Sequence, residues 1–144
     1  MVEFGGIDEN PGVEYLEKGV KLAKENKVNW VVAAGGGSVI DASKFIAAAY
    51  YKSGNLWEII AQKKPITKAL PLATVLTLPA TSSEMNHIGV ISNYALKEKF
   101  SFRSEQLYPT VTVVDPTYTY SLSKQQLAYG ICDSFMHVME QYLN

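Results

Sequence analysis

Residues 28–51 of the chain read VNWVVAAGGGSVIDASKFIAAAYY and combine three structural signals in one segment. Its first part, 28–33, is a short apolar run of β-forming residues, typical of a strand that is buried on both faces. The glycines and serine of 35–38 interrupt this run, and a nearly all-apolar helical segment follows. The order strand, tight turn, helix is the building unit of α/β proteins.

The remaining chain continues the alternation of strands and helices. The further strands that we predict are 73–78 and 110–114, with a β-ribbon formed by 88–93 and 99–103. The further helices that we predict are one at 11–26 that starts with Asn10 and Pro11, a short one at 56–61, and a last one that opens with the capping box of Ser123 and Gln126 and runs to the end. The alternation therefore predicts an α/β fold with a parallel sheet.

Composition narrows the classes of protein. Apolar residues make up 47% and charged residues 19%, and the net charge is -1, which describes a globular chain and argues against nucleic acid or an anionic membrane as the main partner. The one cysteine, Cys132, excludes an internal disulfide and fits a reducing compartment. Since the N-terminus also lacks the pattern of a signal peptide, we expect a cytoplasmic protein with no membrane partner.

The glycine turn is the first candidate binding site. Gly35, Gly36 and Gly37 let a ligand approach the backbone closely, and the helix that follows offers free N–H groups to a pyrophosphate. The alternative is a purely structural turn, in which Ser38 caps the helix and Asp41 completes the cap. Three consecutive glycines after a buried strand favour phosphate, although the spacing is not G-x-G-x-x-G.

A second loop, TLPATSSEMN at 77–86, follows the next predicted strand. Ligands of open α/β sheets bind beyond the carboxyl ends of the strands, so both loops are expected to face one crevice. Taken alone, such a loop is more often a connector rich in serine and threonine than a binding loop.

The last helix contains Asp133 and His137, which are four positions apart and therefore share one face. Their oxygen and nitrogen donors could share a divalent ion, but the pattern alone is better described as an amphipathic helix with a solvated polar face. The other histidine, His87, is not spaced for coordination and is interpreted as a loop residue. Cys132 falls on the apolar side and is expected in the core.

Five motifs, taken together, resemble the iron-containing alcohol dehydrogenase family, most closely its butanol dehydrogenase and aldehyde reductase branch. In family order they are FGGIDENP (4–11), AAGGGSVIDASKFIAA (33–48), TLPATSSEMN (77–86), VVDPTYTYSL (113–122) and GICDSFMHVMEQY (130–142). The resemblance implies a Rossmann-like, dehydroquinate synthase-like nucleotide-binding domain at 1–122. It also implies that 123–144 is the first helix of an all-helical metal-binding domain.

The implied activity is the interconversion of an alcohol, such as butanol, and its aldehyde, with NAD or NADP and with Fe²⁺ or Zn²⁺. The resemblance also assigns individual residues. Those matched to the cofactor are Gly35, Gly36, Gly37 and Ser38 along the pyrophosphate, Asp41 near the nicotinamide, Thr77, Leu78 and Thr81 in the second loop, and Lys99 at the nicotinamide ribose. Those matched to the metal, and therefore to catalysis, are Asp133 and His137. By position, His87 would then lie near the cofactor.

The chain departs from the family in two ways. Ser82 stands where many relatives have glycine, and family members are much longer, with two further histidine ligands beyond this chain's last residue. We therefore expect an internal fragment that is inactive alone and a homo-oligomeric full-length protein. The alternatives are a lyase like dehydroquinate synthase, which the scarcity of basic residues in the loops disfavours, and a non-catalytic nucleotide-binding module.

Overall fold

A computed structural model describes residues 1–143, in which a sheet and a separate β-ribbon both pack against one buried helix. The helices are α1 (Val13–Glu25), α2 (Gly37–Ala49), α3 (Glu58–Ala61) and α4 (Lys124–Leu143). The strands are β1 (Val31–Gly36), β2 (Leu72–Leu78), β3 (Ile88–Asn93), β4 (Glu98–Arg103) and β5 (Val111–Val113). Short 3₁₀ helices occupy Ser83–Met85, Glu105–Leu107 and Pro116–Thr119.

The sheet has the order β1-β2-β5, and both strand pairs are parallel. The predicted α/β fold with a parallel sheet is therefore confirmed. Strands β3 and β4 pair antiparallel, with Ile88 opposite Arg103, and this confirms the predicted ribbon almost to the residue.

Strand β1 begins and ends three residues later than the sequence predicts. Val28 does not enter the strand, because its N–H donates to Ala23 O and closes the end of α1. At the other end Gly35 and Gly36 pair with Leu76 and Leu78 of β2. The parallel partner, rather than the apolar run, sets the limits of the strand.

Helix α1 is capped by Gly12 and not, as predicted, by Asn10. Asn10 has a left-handed backbone with φ 53°, and its carbonyl and side chain are used elsewhere. Four hydrogen bonds join segment 10–14 to the ribbon. They run from Ser92 N to Pro11 O (3.0 Å), from Tyr94 Oη to Asn10 O (2.6 Å), from Ala95 N to Glu14 Oε1 (3.1 Å) and from Lys99 Nζ to Asn10 Oδ1 (2.6 Å).

Helix α2 is the centre of the core, with every residue from Ala42 to Ala49 buried. Phe45 is fully buried and meets Phe102 of the ribbon edge to face at 6.2 Å, and a side chain of this kind contributes roughly 1.5–3 kcal/mol of burial free energy. Toward the sheet, Ile40 packs with Leu72 and Leu76. The apolar character of α2 thus reflects contact with both β-structures.

One expectation about the strands is wrong. They were predicted to be buried on both faces, but Val32 of β1 is 66% exposed and Val111 of β5 is 53% exposed. Helix α2 covers β1 and β2, whereas no helix among residues 1–143 covers these two valines. The strands therefore carry more apolar surface than the described residues cover.

Helix α4 begins with the predicted capping box, since Gln126 N–H donates to Ser123 Oγ and Ser123 N–H donates to Gln126 Oε1. Its apolar side is not in a core, because only Gly130 is buried between Lys124 and Leu143. The expectation that Cys132 lies in the core is wrong for the same reason, and the thiol is exposed. Over residues 1–143, no helix combines the length and the apolarity needed to cross a membrane.

Candidate cofactor and metal site

The glycine turn has no loop at all, because β1 ends at Gly36 and α2 begins at Gly37. An ideal Cβ on Gly35 would lie 2.6 Å from a methyl carbon of Val39, so this glycine is required by packing. A Cβ on Gly37 would meet only Thr81 Oγ1, at 3.3 Å. The missing side chain of Gly37 thus leaves a gap between the turn and the second loop.

The alternative interpretation of the turn, a cap made by Ser38 with Asp41, is wrong. The N-cap of α2 is Gly36, and no side chain accepts a hydrogen bond there. Ser38 lies within the first turn of the helix, where its backbone is already helical. Within residues 1–143 the first N–H groups of α2 therefore have no side-chain cap, and such uncapped N–H groups can bind an anion.

The second loop lies beside the glycine turn, as the position of both at strand ends predicts. Leu78, at the end of β2, is the ladder partner of Gly36, and a Cβ on Gly36 would lie 3.3 Å from Leu78 Cβ. Thr77 precedes it within β2, and Thr81 is exposed opposite Gly37. The structure brings these residues together at one edge of the sheet.

Ser82, which stands where many relatives have glycine, has a backbone conformation that favours glycine. It is exposed and has φ 56° and ψ 31°, a left-handed conformation. Glycine adopts this conformation without steric cost, whereas a residue with Cβ is strained by about 1–2 kcal/mol. The loop therefore keeps a turn that is better suited to glycine.

Asp41 is bonded within the protein through both carboxylate oxygens. Ser83 Oγ donates to Oδ1 at 2.6 Å and Val90 N–H donates to Oδ2 at 3.0 Å. Burial raises the pKa of Asp41, while these hydrogen bonds and the charges of Lys44 and Lys99 offset part of the rise. Its assignment to the nicotinamide stays a prediction.

Lys44 is a buried residue that the sequence analysis missed. Its side chain is fully buried in α2, three positions after Asp41. Its ammonium donates hydrogen bonds to Ser83 and Asn86 of the second loop and to Ile88 at the start of β3. Burial lowers its pKa from 10.5 to about 8, against the opposing charges of Asp41 and Glu84. A single lysine inside an otherwise uncharged, buried run was the signal that could have found it.

Lys99 is exposed on β4, and its only hydrogen bond within residues 1–143 is the one to Asn10 Oδ1. It does not touch the glycine turn, but its charge acts on Asp41. Its assignment to the nicotinamide ribose stays a prediction.

Asp133 and His137 form the expected pair on α4. His137 Nε2 lies 3.6 Å from Asp133 Oδ2, both side chains are nearly half exposed, and Glu140 is 3.9 Å from the other ring nitrogen. Among residues 1–143 no group of three or more metal-ligating side chains comes together. His87 is apart from this pair and packs on Tyr108 at 4.8 Å.

Helix α4 touches the second loop through Gly130 and Ser134. The Cα of Gly130 faces the backbone of Pro79, where a Cβ would lie 2.8 Å from the carbonyl oxygen. One turn later, Ser134 Oγ donates to Ala80 O at 3.1 Å. Asp133 thus lies between the two residues that join α4 to the loop.

Comparison with known proteins identifies the family to which the chain belongs. The family profile described as "Iron-containing alcohol dehydrogenase" matches residues 1–116. NADH-dependent butanol dehydrogenase A of Clostridium acetobutylicum is 43% identical over 142 residues, and NADPH-dependent aldehyde reductase YqhD of Escherichia coli is 47% identical over 146. Each alignment covers 99% of this chain but 36% and 38% of the respective relative.

Solved structures of members of the same family superpose closely on this chain. Escherichia coli YqhD superposes with a TM-score of 0.94 at 46% identity, covering 97% of this chain and 37% of that one. The butanol dehydrogenase A of Thermotoga maritima gives 0.93 at 41% identity, covering 96% and 35%. The fold is that of α/β dehydrogenases with a Rossmann-like parallel sheet. Within that class, the chain belongs to the iron-containing alcohol dehydrogenase family, and it spans little more than a third of the relatives that it matches.

Proposed function

We propose that this chain is part of an oxidoreductase that interconverts an alcohol, such as butanol, and its aldehyde, using NAD or NADP and a divalent ion, Fe²⁺ or Zn²⁺. The observation that carries the proposal is the gap between Gly37 and Thr81 at the carboxyl edge of the parallel sheet. Relatives named as butanol dehydrogenase and aldehyde reductase support the reaction class.

The residues of the glycine turn fit a dinucleotide. The pyrophosphate would lie along Gly35–Ser38, where the first N–H groups of α2 lack a side-chain cap and a Cβ would fill the available space. Thr77, Leu78 and Thr81 would line the opposite side, with the threonine hydroxyls able to donate hydrogen bonds. Asp41 and Lys99 would lie toward the nicotinamide half of the cofactor.

The donors on α4 fit part of a metal site. A carboxylate oxygen and an imidazole nitrogen are ligands that Fe²⁺ and Zn²⁺ both accept, and a catalytic site takes about three protein ligands, so Asp133 and His137 need at least one more. A bound ion would supply Lewis-acid polarisation of the substrate oxygen, and a bound nicotinamide would supply the hydride chemistry. The protein's own task is to hold Asp133 and His137 beside the second loop.

The proposed organisation is a nucleotide-binding domain at 1–122 and the first helix of a helical, metal-binding domain at 123–144. The contact of Gly130 and Ser134 with the loop supports a site at the junction of the two. We place the whole protein in the cytoplasm as a homo-oligomer.

The cofactor site can be tested with Gly37→Ala in the full-length protein. Alanine favours a helix over glycine, so folding is retained, but its methyl group occupies the gap beside Thr81. We will know the cofactor by fluorescence titration of the unchanged protein with NADH and with NADPH. For the one that binds, we expect Gly37→Ala to raise the dissociation constant at least about tenfold, a loss of about 1.4 kcal/mol of binding free energy.

The matched control is Gly5→Ala, because a Cβ at Gly5 would meet no atom within 4 Å. This control should bind the cofactor as the unchanged protein does. Unaltered affinity in a folded Gly37→Ala protein would contradict the proposed cofactor site.

A further inference from the structure

We propose that Lys44 is a positioning residue, which holds the second loop against α2 and thereby sets the gap between Gly37 and Thr81. The effect on cofactor binding rests on the proposed function. The anchoring of the loop is a separate statement, and it can be measured without cofactor.

The ammonium of Lys44 is surrounded by acceptors from one short segment, 83–88. They are Ser83 O (2.7 Å), Ser83 Oγ (2.8 Å), Ile88 O (2.7 Å) and Asn86 Oδ1 (3.1 Å). An ammonium has three protons, so the longest contact, to Asn86, shares a proton with another. One side-chain atom therefore fixes both the 3₁₀ helix and the entry into β3.

Asp41, one turn earlier in α2, also binds the segment that Lys44 holds. Ser83 Oγ donates its proton to Asp41 Oδ1, which leaves the oxygen's lone pairs free to accept from Lys44. The other carboxylate oxygen accepts from Val90 N–H. Lys44 and Asp41 therefore hold overlapping parts of one segment, Lys44 from Ser83 to Ile88 and Asp41 at Ser83 and Val90.

The anchor acts on the cofactor loop through chain geometry. Thr81 is followed by the left-handed residue Ser82 and then by Ser83, so the point at which Ser83 is held determines where Thr81 lies. From the sheet side, Thr112 Oγ1 donates to Glu84 O at 2.8 Å. The segment is thus fixed between α2 and β5, and Lys44 supplies the α2 side.

Replacing Lys44 with methionine keeps the volume but removes all three donors. The carbonyls of Ser83 and Ile88 would remain buried without partners, and buried acceptors of this kind are satisfied by admitting water. The loop should therefore open locally, while α1 and β1, to which Lys44 Nζ donates no hydrogen bond within residues 1–143, keep their protection.

The test is hydrogen exchange by mass spectrometry on this chain, comparing Lys44→Met with the exposed-lysine control Lys21→Met, whose side chain is 78% exposed. Amides of 79–90 should exchange at least about tenfold faster in Lys44→Met, with α1 and β1 unchanged, and Lys21→Met should match the unchanged chain. Unchanged exchange over 79–90 in a folded Lys44→Met protein would overturn the proposal.

If Lys44→Met fails to fold, Ser83→Ala provides the second variant, because it removes only the hydroxyl between Lys44 and Asp41. Exchange over the same segment should then rise by a smaller factor. A folded Ser83→Ala protein with unchanged exchange would overturn the proposal equally.

In the full-length protein the Michaelis constant for the cofactor should rise about tenfold in Lys44→Met, by more than kcat falls. A merely structural role would lower the active fraction, and hence kcat, without moving the Michaelis constant, and that result would overturn the positioning role. If the unchanged protein binds neither NADH nor NADPH, the proposed function fails, and the exchange experiment still decides the anchoring.

Discussion

The contact between α4 and the second loop depends on Gly130, and replacing this glycine with alanine should release the helix. The added Cβ would lie 2.8 Å from Pro79 O, closer than real Cβ contacts come, and 3.5 Å from Leu78 Cδ1. The carbonyl belongs to the backbone and cannot rotate away as a side chain would. Either the loop or the helix must therefore move.

The free-energy cost of strain, compared with that of separating the helix from the loop, decides which of the two moves. Overpacking a docked contact costs about 1–3 kcal/mol. The docking itself depends on Gly130, the only buried residue between Lys124 and Leu143, and on the bond from Ser134 to Ala80 O, which contributes about 1 kcal/mol. Alanine also stabilises the helix by about 1 kcal/mol over glycine. Separation is therefore cheaper than strain, and the free energy of unfolding of the sheet should change by less than about 1 kcal/mol.

The assay uses Cys132, the only cysteine, which is exposed. A nitroxide attached there should broaden the amide resonances of Ala80 and Thr81 in the unchanged chain, and Gly130→Ala should restore their intensity. Gly5→Ala, with no atom near its new methyl group, should leave the broadening intact. Persistent broadening in Gly130→Ala, together with a loss of stability of about 1–3 kcal/mol, would refute the reasoning, because it would show that stronger contacts hold α4.

Four other outcomes are expected. Ser82→Gly should raise the free energy of unfolding by about 0.5–1 kcal/mol in urea titrations, since relief of left-handed strain exceeds the entropy cost of glycine. Lys99→Ala should raise the Michaelis constant for the cofactor while the melting temperature hardly changes, because an exposed lysine contributes under about 1 kcal/mol. The 144-residue chain should lose its metal on dialysis and show no turnover, whereas the full-length protein should keep about one ion per chain, and Asp133→Ala or His137→Ala should abolish both metal and activity. The folded pKa of Lys44, about 8 against 10.5, means that the unfolded chain binds more protons between these values, so stability should rise with pH across this window, and Lys44→Met should remove the rise.

Each of these has a contradicting result. A less stable Ser82→Gly protein would mean that the hydroxyl side chain makes a contact worth more than the strain. A lower melting temperature with an unchanged Michaelis constant would assign Lys99 to folding. A stoichiometric metal in the short chain, read by plasma mass spectrometry, would require a third ligand, and retention without His137 would leave the pair as a solvated helix face. A pH dependence that is equal with and without Lys44 would assign the proton release to other groups.

Local patterns were enough to predict most elements. The apolar run at 73–78 predicted β2 within one residue, and the neighbouring segments 88–93 and 99–103 predicted the ribbon, because these signals are local in the sequence. The capping box of Ser123 and Gln126 was likewise readable, since both partners are three positions apart. The side-by-side placement of the glycine turn and the second loop followed from the rule that parallel strands end at one edge.

What the sequence did not reveal depends on partners far along the chain. Asn10 looks like a helix cap, but its carbonyl and amide oxygens accept bonds from Tyr94 and Lys99. Lys44 stands out as the one charged residue of a buried run, but its acceptors at 83–88 lie about 40 positions away. Gly130 is an unfavourable residue inside a helix, and only its contact with the carbonyl of Pro79 explains why no side chain fits there. None of these partners is visible in a local window of sequence.

The bonds between segment 10–14 and the ribbon have a consequence for the order of events during synthesis. Their partners are 81 to 89 positions apart in the chain. At a ribosomal rate of 5–20 residues per second, the first of these segments waits roughly 4–16 s before the second is made. During that time the left-handed turn at Asn10 has nothing to hold it, and the apolar side of α1, with Leu16 and Val20, lacks its ribbon contacts. Segment 10–14 can therefore reach its native conformation only after Lys99 has left the ribosome, and until then it is a candidate for chaperone binding.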